Sequence, residues 1–362
     1  MRMLFSFKRL LMLASALVVA APGYALDLSG KTVTILVPFR EGGGSDTLAR
    51  FLQPHLKAAL PGNPDIVVLN KPGGGSVTGV NGWVSSADAD GTDILVGSTS
   101  TWVPFVFGAS TVKYDPNDMR AVIGFPRVSV FFTNPEKTGV TGAGTAAGVA
   151  ELRDVKLIKG SNAPLSLDLG DLAALHMLEI PHFAIFGLGT GDKRKAYLNS
   201  ETSSNSDTLS RYIGTAAKEG PGRVSPLFVL GGVDGEGNPS RIPELPDVPA
   251  FAELYEETAG TAPSGPAYNI FQATHYLRTT LAKAILLPEG TSDEVYDAYV
   301  AAFRSLEENA EYMDGIINDI GARSLVYSGD IQAAFKGASG FGDEERAWAE
   351  AYMKETHRVT LD

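Results

Sequence analysis

The 362-residue sequence contains no cysteine, which excludes a disulfide framework, a thiolate nucleophile and a lipid-accepting thiol. Its five histidines, His55, His176, His182, His275 and His357, offer no metal-ligand cluster. Lys and Arg number 30 against 42 Asp and Glu, a formal net charge of −12. The clustered basic surface that nucleic acid or anionic lipid demands is therefore lacking. A small anion stays open as a ligand, because local dipoles can hold one while the overall surface is negative. Long hydrophobic runs are lacking too. Leu10 to Ala21 spans about 12 residues, too few for a helix across a bilayer of roughly 30 Å, and no later segment reaches that length.

What is present begins at that run. Arg2, Lys8 and Arg9 precede it and the small residues Gly23 and Ala25 follow, the pattern of a secretory signal peptide over residues 1–25. Cleavage after Ala25 takes the charge from −12 to −15 by removing those three basic residues. About 337 residues remain, more than one core usually organises, so two domains are expected. A soluble periplasmic protein with no direct membrane insertion follows.

Apolar runs at Val33–Val37, Ile66–Leu69 and Ile94–Val96 recur about every 30 residues, the period of strand–helix–strand units. Leu48, Phe51, Leu52, Leu56 and Leu60 share one helical face between the first two, with Pro54 expected to kink that helix. A mainly parallel sheet flanked by helices is predicted. A second α/β unit is read from strand candidates Val128–Phe132, Val155–Ile158 and Phe183–Phe186 and a helix over Leu169–Leu178. Gly139–Ala150 reads as a loop or helix start and Asn199–Ser206 as a turn region. After a strand at Ser225–Leu230, the tail reads as mainly helical, with a stripe at Val295, Tyr299, Phe303 and Leu306.

The segment Pro38-Phe39-Arg40-Glu41-Gly42-Gly43-Gly44-Ser45-Asp46 joins the first strand to the first helix. Its glycines expose backbone N–H groups at the positive end of a helix, where an anion is favoured. Asp46 or Ser45 there is expected to cap the helix, since an inward carboxylate would repel an anion. Gly73-Gly74-Gly75-Ser76 follows the second strand and Ser98, Thr99 and Ser100 follow the third. In open α/β sheets ligands bind at this edge. Enzyme signatures fail on the same segments. Gly42 and Gly44 are followed by Thr47, and Gly73 and Gly75 by Thr78, where a dinucleotide loop needs glycine. Gly30-Lys31-Thr32 lacks the upstream glycine of a phosphate loop, and no serine sits in a G-x-S-x-G elbow. His182 is read as a packed or capping residue, and Trp102 as core packing in preference to a cleft wall.

With these loops in order, the sequence resembles the substrate-binding proteins of tripartite tricarboxylate transporters, the Bug family. The resemblance is carried by "VTILVPFREGGGSDTLARFL", "VVLNKPGGGSVTG", "ADGTDILVGSTS", "YDPNDM", "RIPELPDVPAFAE" and "LLPEGTSDEVYDAYVAAF". It implies a two-domain periplasmic binding protein fold of type II kind, hinged by two crossover strands, with residues 26–124 and 225–362 as domain 1 and 125–224 as domain 2. It implies a small carboxylate held in the cleft by backbone N–H groups, hydroxyls and water in preference to a cationic clamp, with no catalysis, no cofactor and no metal. By position the ligand residues are Phe39, Gly42, Gly43, Gly44, Ser45, Ser98, Thr99 and Ser100 from one domain. The other answers with Ser161, Asn162, Asp207 and Thr208. Ser161 and Asn162 also suit a helix cap, as does Asp207. Departures from the family pattern at Arg40, Glu41 and Ser203 alter charge at the cleft mouth. The implied partners are a carboxylate ligand and, transiently, the transporter's membrane subunits; a sensor feeding a signalling membrane protein would use the same pocket.

Overall fold

A computed structural model describes residues 26–232, 239–322, 324–327, 329, 331, 334–335 and 341–361. The signal peptide expected over residues 1–25 lies outside them. Among the described residues eleven strands form two mixed sheets. The first contains β1 (Thr32–Val37), β2 (Asp65–Asn70), β3 (Asp93–Ser98) and β4 (Arg120–Phe125), and the second β5 (Ser129–Thr133), β6 (Leu157–Gly160), β7 (His182–Ile185), β8 (Ser204–Thr208) and β9 (Ser225–Leu230). The chain then returns to the first sheet with β10 (Lys283–Leu287) and β11 (Val326–Tyr327). The strand orders are β11-β4-β10-β3-β1-β2 and β7-β6-β8-β5-β9. In the first, β1 runs parallel to β2 and β3, whereas β10 runs against β3 and β4. In the second, β5 runs against both β8 and β9.

β1 shows why the first sheet is covered on both faces. Val33, Ile35 and Val37 join a core with Leu48, Leu52 and Leu56 of helix Gly44–Ala59, while Leu36 on the opposite face joins a core with Trp83 and Trp102. Period-2 alternation therefore carries apolar residues to both sides. The helix continues through Pro54. Two expectations are corrected. Asn199–Ser206 is not wholly a turn, since Ser204 begins β8. The tail is mainly helical among the described residues, with β10 inserted between its helices and four of its five residues buried. Ser225–Leu230, expected to start the return to domain 1, pairs with β5 in the second sheet. The polar sequence of β8 and the antiparallel entry of β10 carry no periodic signal of their own.

Among the described residues no helix is long and apolar enough to cross a membrane.

Candidate functional site

The loop after β1 is shaped from beneath. Gly42 has φ +72°, in the left-handed region that glycine accepts without strain. Asp46, 3% exposed, accepts hydrogen bonds from the Gly42 N–H (2.8 Å), Arg50 Nε (3.0 Å) and Asn70 Nδ2 (3.0 Å). The expected side-chain cap is thus replaced: Gly43 takes the N-cap position with no side-chain bond, and Asp46 reaches back to hold the loop. Burial pushes the Asp46 carboxyl up, but the bonds from Arg50, Gly42 and Asn70 outweigh it and leave it below its ordinary value.

Between the two sheets lies a cavity of about 640 Å³. One side is lined by Phe39, Gly42, Gly43, Gly44 and Ser45, by the second glycine loop, and by Ser98, Thr99 and Ser100. Asn162, Asp207 and Thr208 line the other, and Arg40 and Glu41 line it as exposed residues. Ser161 does not line it: the residue is wholly buried and its hydroxyl has no hydrogen-bond partner. Backbone direction explains this, since Ser161 pairs its N–H with Ile185 O and turns inward while Asn162 follows into the cavity wall.

The hydroxyls have structural partners as well. Ser45 Oγ accepts from Lys283 Nζ at 2.7 Å, and Ser100 Oγ accepts from the Leu167 N–H at 3.2 Å, joining the two sides of the cavity. Thr99 Oγ1 donates toward Leu281 O at 3.4 Å, and the Ser98 N–H donates to Thr101 Oγ1. Asp207 gives both oxygens to Arg194, at 2.6 and 2.9 Å, and one also accepts from the Thr208 N–H. It is neither a free carboxylate nor a cap of a long helix. Trp102 is fully buried, edge-on to Phe335 at 4.9 Å between ring centres, and belongs to the core. His182 is packed, its Nδ1 on Ile180 O at 2.7 Å and its Nε2 on the Tyr352 hydroxyl.

Sequence reasoning missed the cations. Arg127, Lys193, Arg194, Arg278 and Lys283 all line the cavity. Lys193 pairs with Asp168 at 2.9 Å and Arg278 with Asp171 at 2.8 Å, while buried Lys159 behind them reaches Asp168 at 2.6 Å. Burial raises the Asp168 carboxyl, yet Lys159 and Lys193 overcome this and hold it far below its usual range. For Lys283 burial and repulsion from Arg127 and Lys193 act together, so its ammonium titrates well below the ordinary value. Arg127 is brought down to about 10, first by burial and then by neighbouring arginines against the pull of Asp207. No local motif marks Arg127 or Lys283. They meet because the β10 register sets Lys283 opposite both Ser98 and Phe125, just before the chain passes Arg127 into the second sheet.

No family model matches the chain. Protein BugT of Bordetella pertussis is 37% identical over 98 residues, which cover 27% of this chain and 28% of that protein. The periplasmic binding protein BugD superposes with a TM-score of 0.65 at 19% identity, over 89% of this chain and 97% of that one. A Rhodopseudomonas palustris protein solved with adipate gives 0.65 at 21% identity, over 90% and 97%. The fold is thus that of the periplasmic binding protein BugD, over nearly the whole length of that chain. Sequence shared with BugT, together with a fold shared with BugD, bears out the resemblance to the Bug family that the glycine-rich loops carry.

Proposed function

We propose that the protein captures a small organic carboxylate between its two lobes in the periplasm and delivers it to the membrane subunits of a tripartite tricarboxylate-type transporter. The observation that carries this reading is the cavity itself. Gly43, Gly44 and Ser45 at the start of helix Gly44–Ala59 line it together with Arg127 and Lys283, in a chain whose net charge is −12. Positive potential is concentrated where a ligand fits, against the sign of the whole molecule. The volume suits a small organic acid, within the roughly 300–1,000 Å³ usual for ligand pockets. Phe39, Gly42, Gly43, Gly44, Ser45, Ser98, Thr99, Ser100, Asn162 and Thr208 are the contact residues in this reading. Asp207 acts through Arg194, and Ser161 is set aside. The adipate in the similar R. palustris protein supports a carboxylate as the ligand class.

Thermal denaturation of the purified protein against a panel of mono-, di- and tricarboxylates tests this. A ligand that binds only the native state raises the melting temperature, by about 2.7 kcal/mol of stabilisation at 100 times its Kd. A rise with at least one carboxylate is expected. No rise across the panel beside a clear rise with a sugar or a metal cation would overturn the reading.

A further inference from the structure

The charges around the cavity do not balance. Lys159, Lys193 and Arg278 share Asp168 and Asp171, and Arg194 occupies both oxygens of Asp207. Asp207 attracts Arg127 through space, but it is already spoken for. Among the described residues, Arg127 and Lys283 form no ion pair. The Arg127 Nε is buried without a hydrogen-bond partner, and Lys283 Nζ has only the neutral Ser45 hydroxyl at 2.7 Å and the Phe39 ring, 5.5 Å from its centre. Both cations converge on the first glycine of helix Gly44–Ala59. A Cβ placed on Gly44 would lie 3.4 Å from Arg127 Nη1 and 3.9 Å from Lys283 Cε.

Two like charges held together in a partly desolvated wall repel, which loosens the hold of Lys283 on its proton until an anion binds, and among the described residues no carboxylate pairs with either cation. A single carboxylate answers only one of them. The helix N-terminus adds about half a positive charge at the same place. The planar guanidinium provides two-point recognition of an oxyanion, and the ammonium a compact second point. A methyl at position 44 would only touch Arg127 in ordinary van der Waals contact, whereas a longer side chain would crowd the approach to both cations.

We infer that Arg127 and Lys283 form a charge-counting seat that selects a small dianion, such as a short dicarboxylate with both carboxylates ionised, over a monoanion of the same size. This rests on the carboxylate-receptor reading for the ligand class, whereas the count of two is the number of cations named here that make no ion pair, the other four sharing three carboxylates. The pair determines specificity. It is distinct from the glycine-loop donors, which accept one oxyanion whatever the rest of the ligand carries.

Titration calorimetry at pH 8 with succinate, butyrate and methylphosphonate tests the pair, in the parent and in Arg127→Gln, Lys283→Met and Lys283→Arg. The parent is expected to hold succinate at least roughly 10-fold more tightly than butyrate. Each neutral substitution should weaken succinate by roughly 10- to 150-fold, the range for losing a hydrogen bond to a charged group, while Lys283→Arg retains most of the affinity. The ligand-free melting temperature should stay level or rise in Arg127→Gln and Lys283→Met, because an unpaired charge is removed; a merely structural role would lower it. Equal affinity for succinate and butyrate, or variants that bind succinate as the parent does, would overturn the seat. Methylphosphonate separates the two readings. Binding of this dianion with no carboxylate bound would keep the seat and sink the carboxylate class, and binding of none of the three would sink both.

Discussion

Asp46 and Ser161 show how a polar residue in a pattern that suits a ligand can serve a different end. Asp46 stands in a loop proposed to meet an anion, yet its carboxylate is spent on Gly42, Arg50 and Asn70 and shapes the loop from behind. Ser161 follows a strand at the correct edge, yet its hydroxyl is buried with no partner. Replacing such a hydroxyl by hydrogen removes an unsatisfied polar group and leaves little volume to refill. Ser161→Ala is therefore expected to melt at the parent temperature or above it, and to bind the ligand found in the carboxylate panel with the parent's affinity. Calorimetry beside thermal denaturation checks this; an affinity loss beyond about 10-fold, the size expected for a lost bond to a charged ligand, would return Ser161 to the site. The glycine loops were legible because glycine runs between a strand and a helix have few other uses. The inward turn of Ser161 and the convergence of Arg127 with Lys283 were not, since each depends on strand register set by distant residues.

Elements differ in the same way. The strands β1, β2 and β3 carry strong apolar runs that mark them to within two residues of their ends, and the apolar face from Leu48 to Leu60 marks the helix Gly44–Ala59 without fixing where it begins. β8, Ser-Asn-Ser-Asp-Thr, has no apolar residue, yet it is an inner strand of the second sheet between β6 and β5. Its polar side chains are usable there because neighbours satisfy them: Ser206 Oγ donates to Asp171 at 2.6 Å and Asp207 is held by Arg194. Asp171 in turn ties helix Asp168–Met177 to Arg278 of helix Pro266–Leu281. These two helices approach closely at Gly170, where a Cβ would come within 1.8 Å of Thr274 Oγ1 and 2.9 Å of its Cβ. Gly170→Ala gains about 1 kcal/mol of helix propensity but forces this contact apart, an overpacking cost of about 1–3 kcal/mol. A lower melting temperature is expected, with part of the loss recovered by adding Thr274→Ala. A single substitution that melts at or above the parent temperature would show that the helices separate freely.

At the scale of the whole molecule, the two lobes do not behave as independent bodies joined by a pair of strands. One apolar core contains Leu95 and Trp102 of the first lobe, Leu169 and Leu172 of the second, and Ile270, Tyr352 and Met353 from the returning chain. The C-terminal helix Asp343–His357 completes this core. It is fastened by a buried chain of polar groups in which Tyr352 OH meets His182 Nε2, His357 Nε2 at 3.1 Å and Leu172 O at 3.1 Å, while His357 Nδ1 accepts from the Ala184 N–H. Burial first, against the bond to Ile180 O and with smaller pushes from His357, His176 and Lys159, holds His182 at about 4; burial, with a smaller push from Lys156, holds His357 at about 4, both against an ordinary 6.5. Neutral imidazoles thus favour the folded state. Above pH 6.5 neither state binds the protons and the stabilisation is complete. As the pH falls from 6.5 toward 4, the unfolded chain takes up protons that the folded protein refuses, and stability drops. Below 4 both states are protonated and this contribution levels off. The melting temperature of the ligand-free protein is accordingly expected to fall steeply between pH 6.5 and 4, and a His357→Gln variant to show a shallower fall over that window. A parent melting temperature that stays flat from pH 7 to 5 would mean that the histidines are protonated within the fold, and that the C-terminal helix is held against the second sheet by something other than this neutral network.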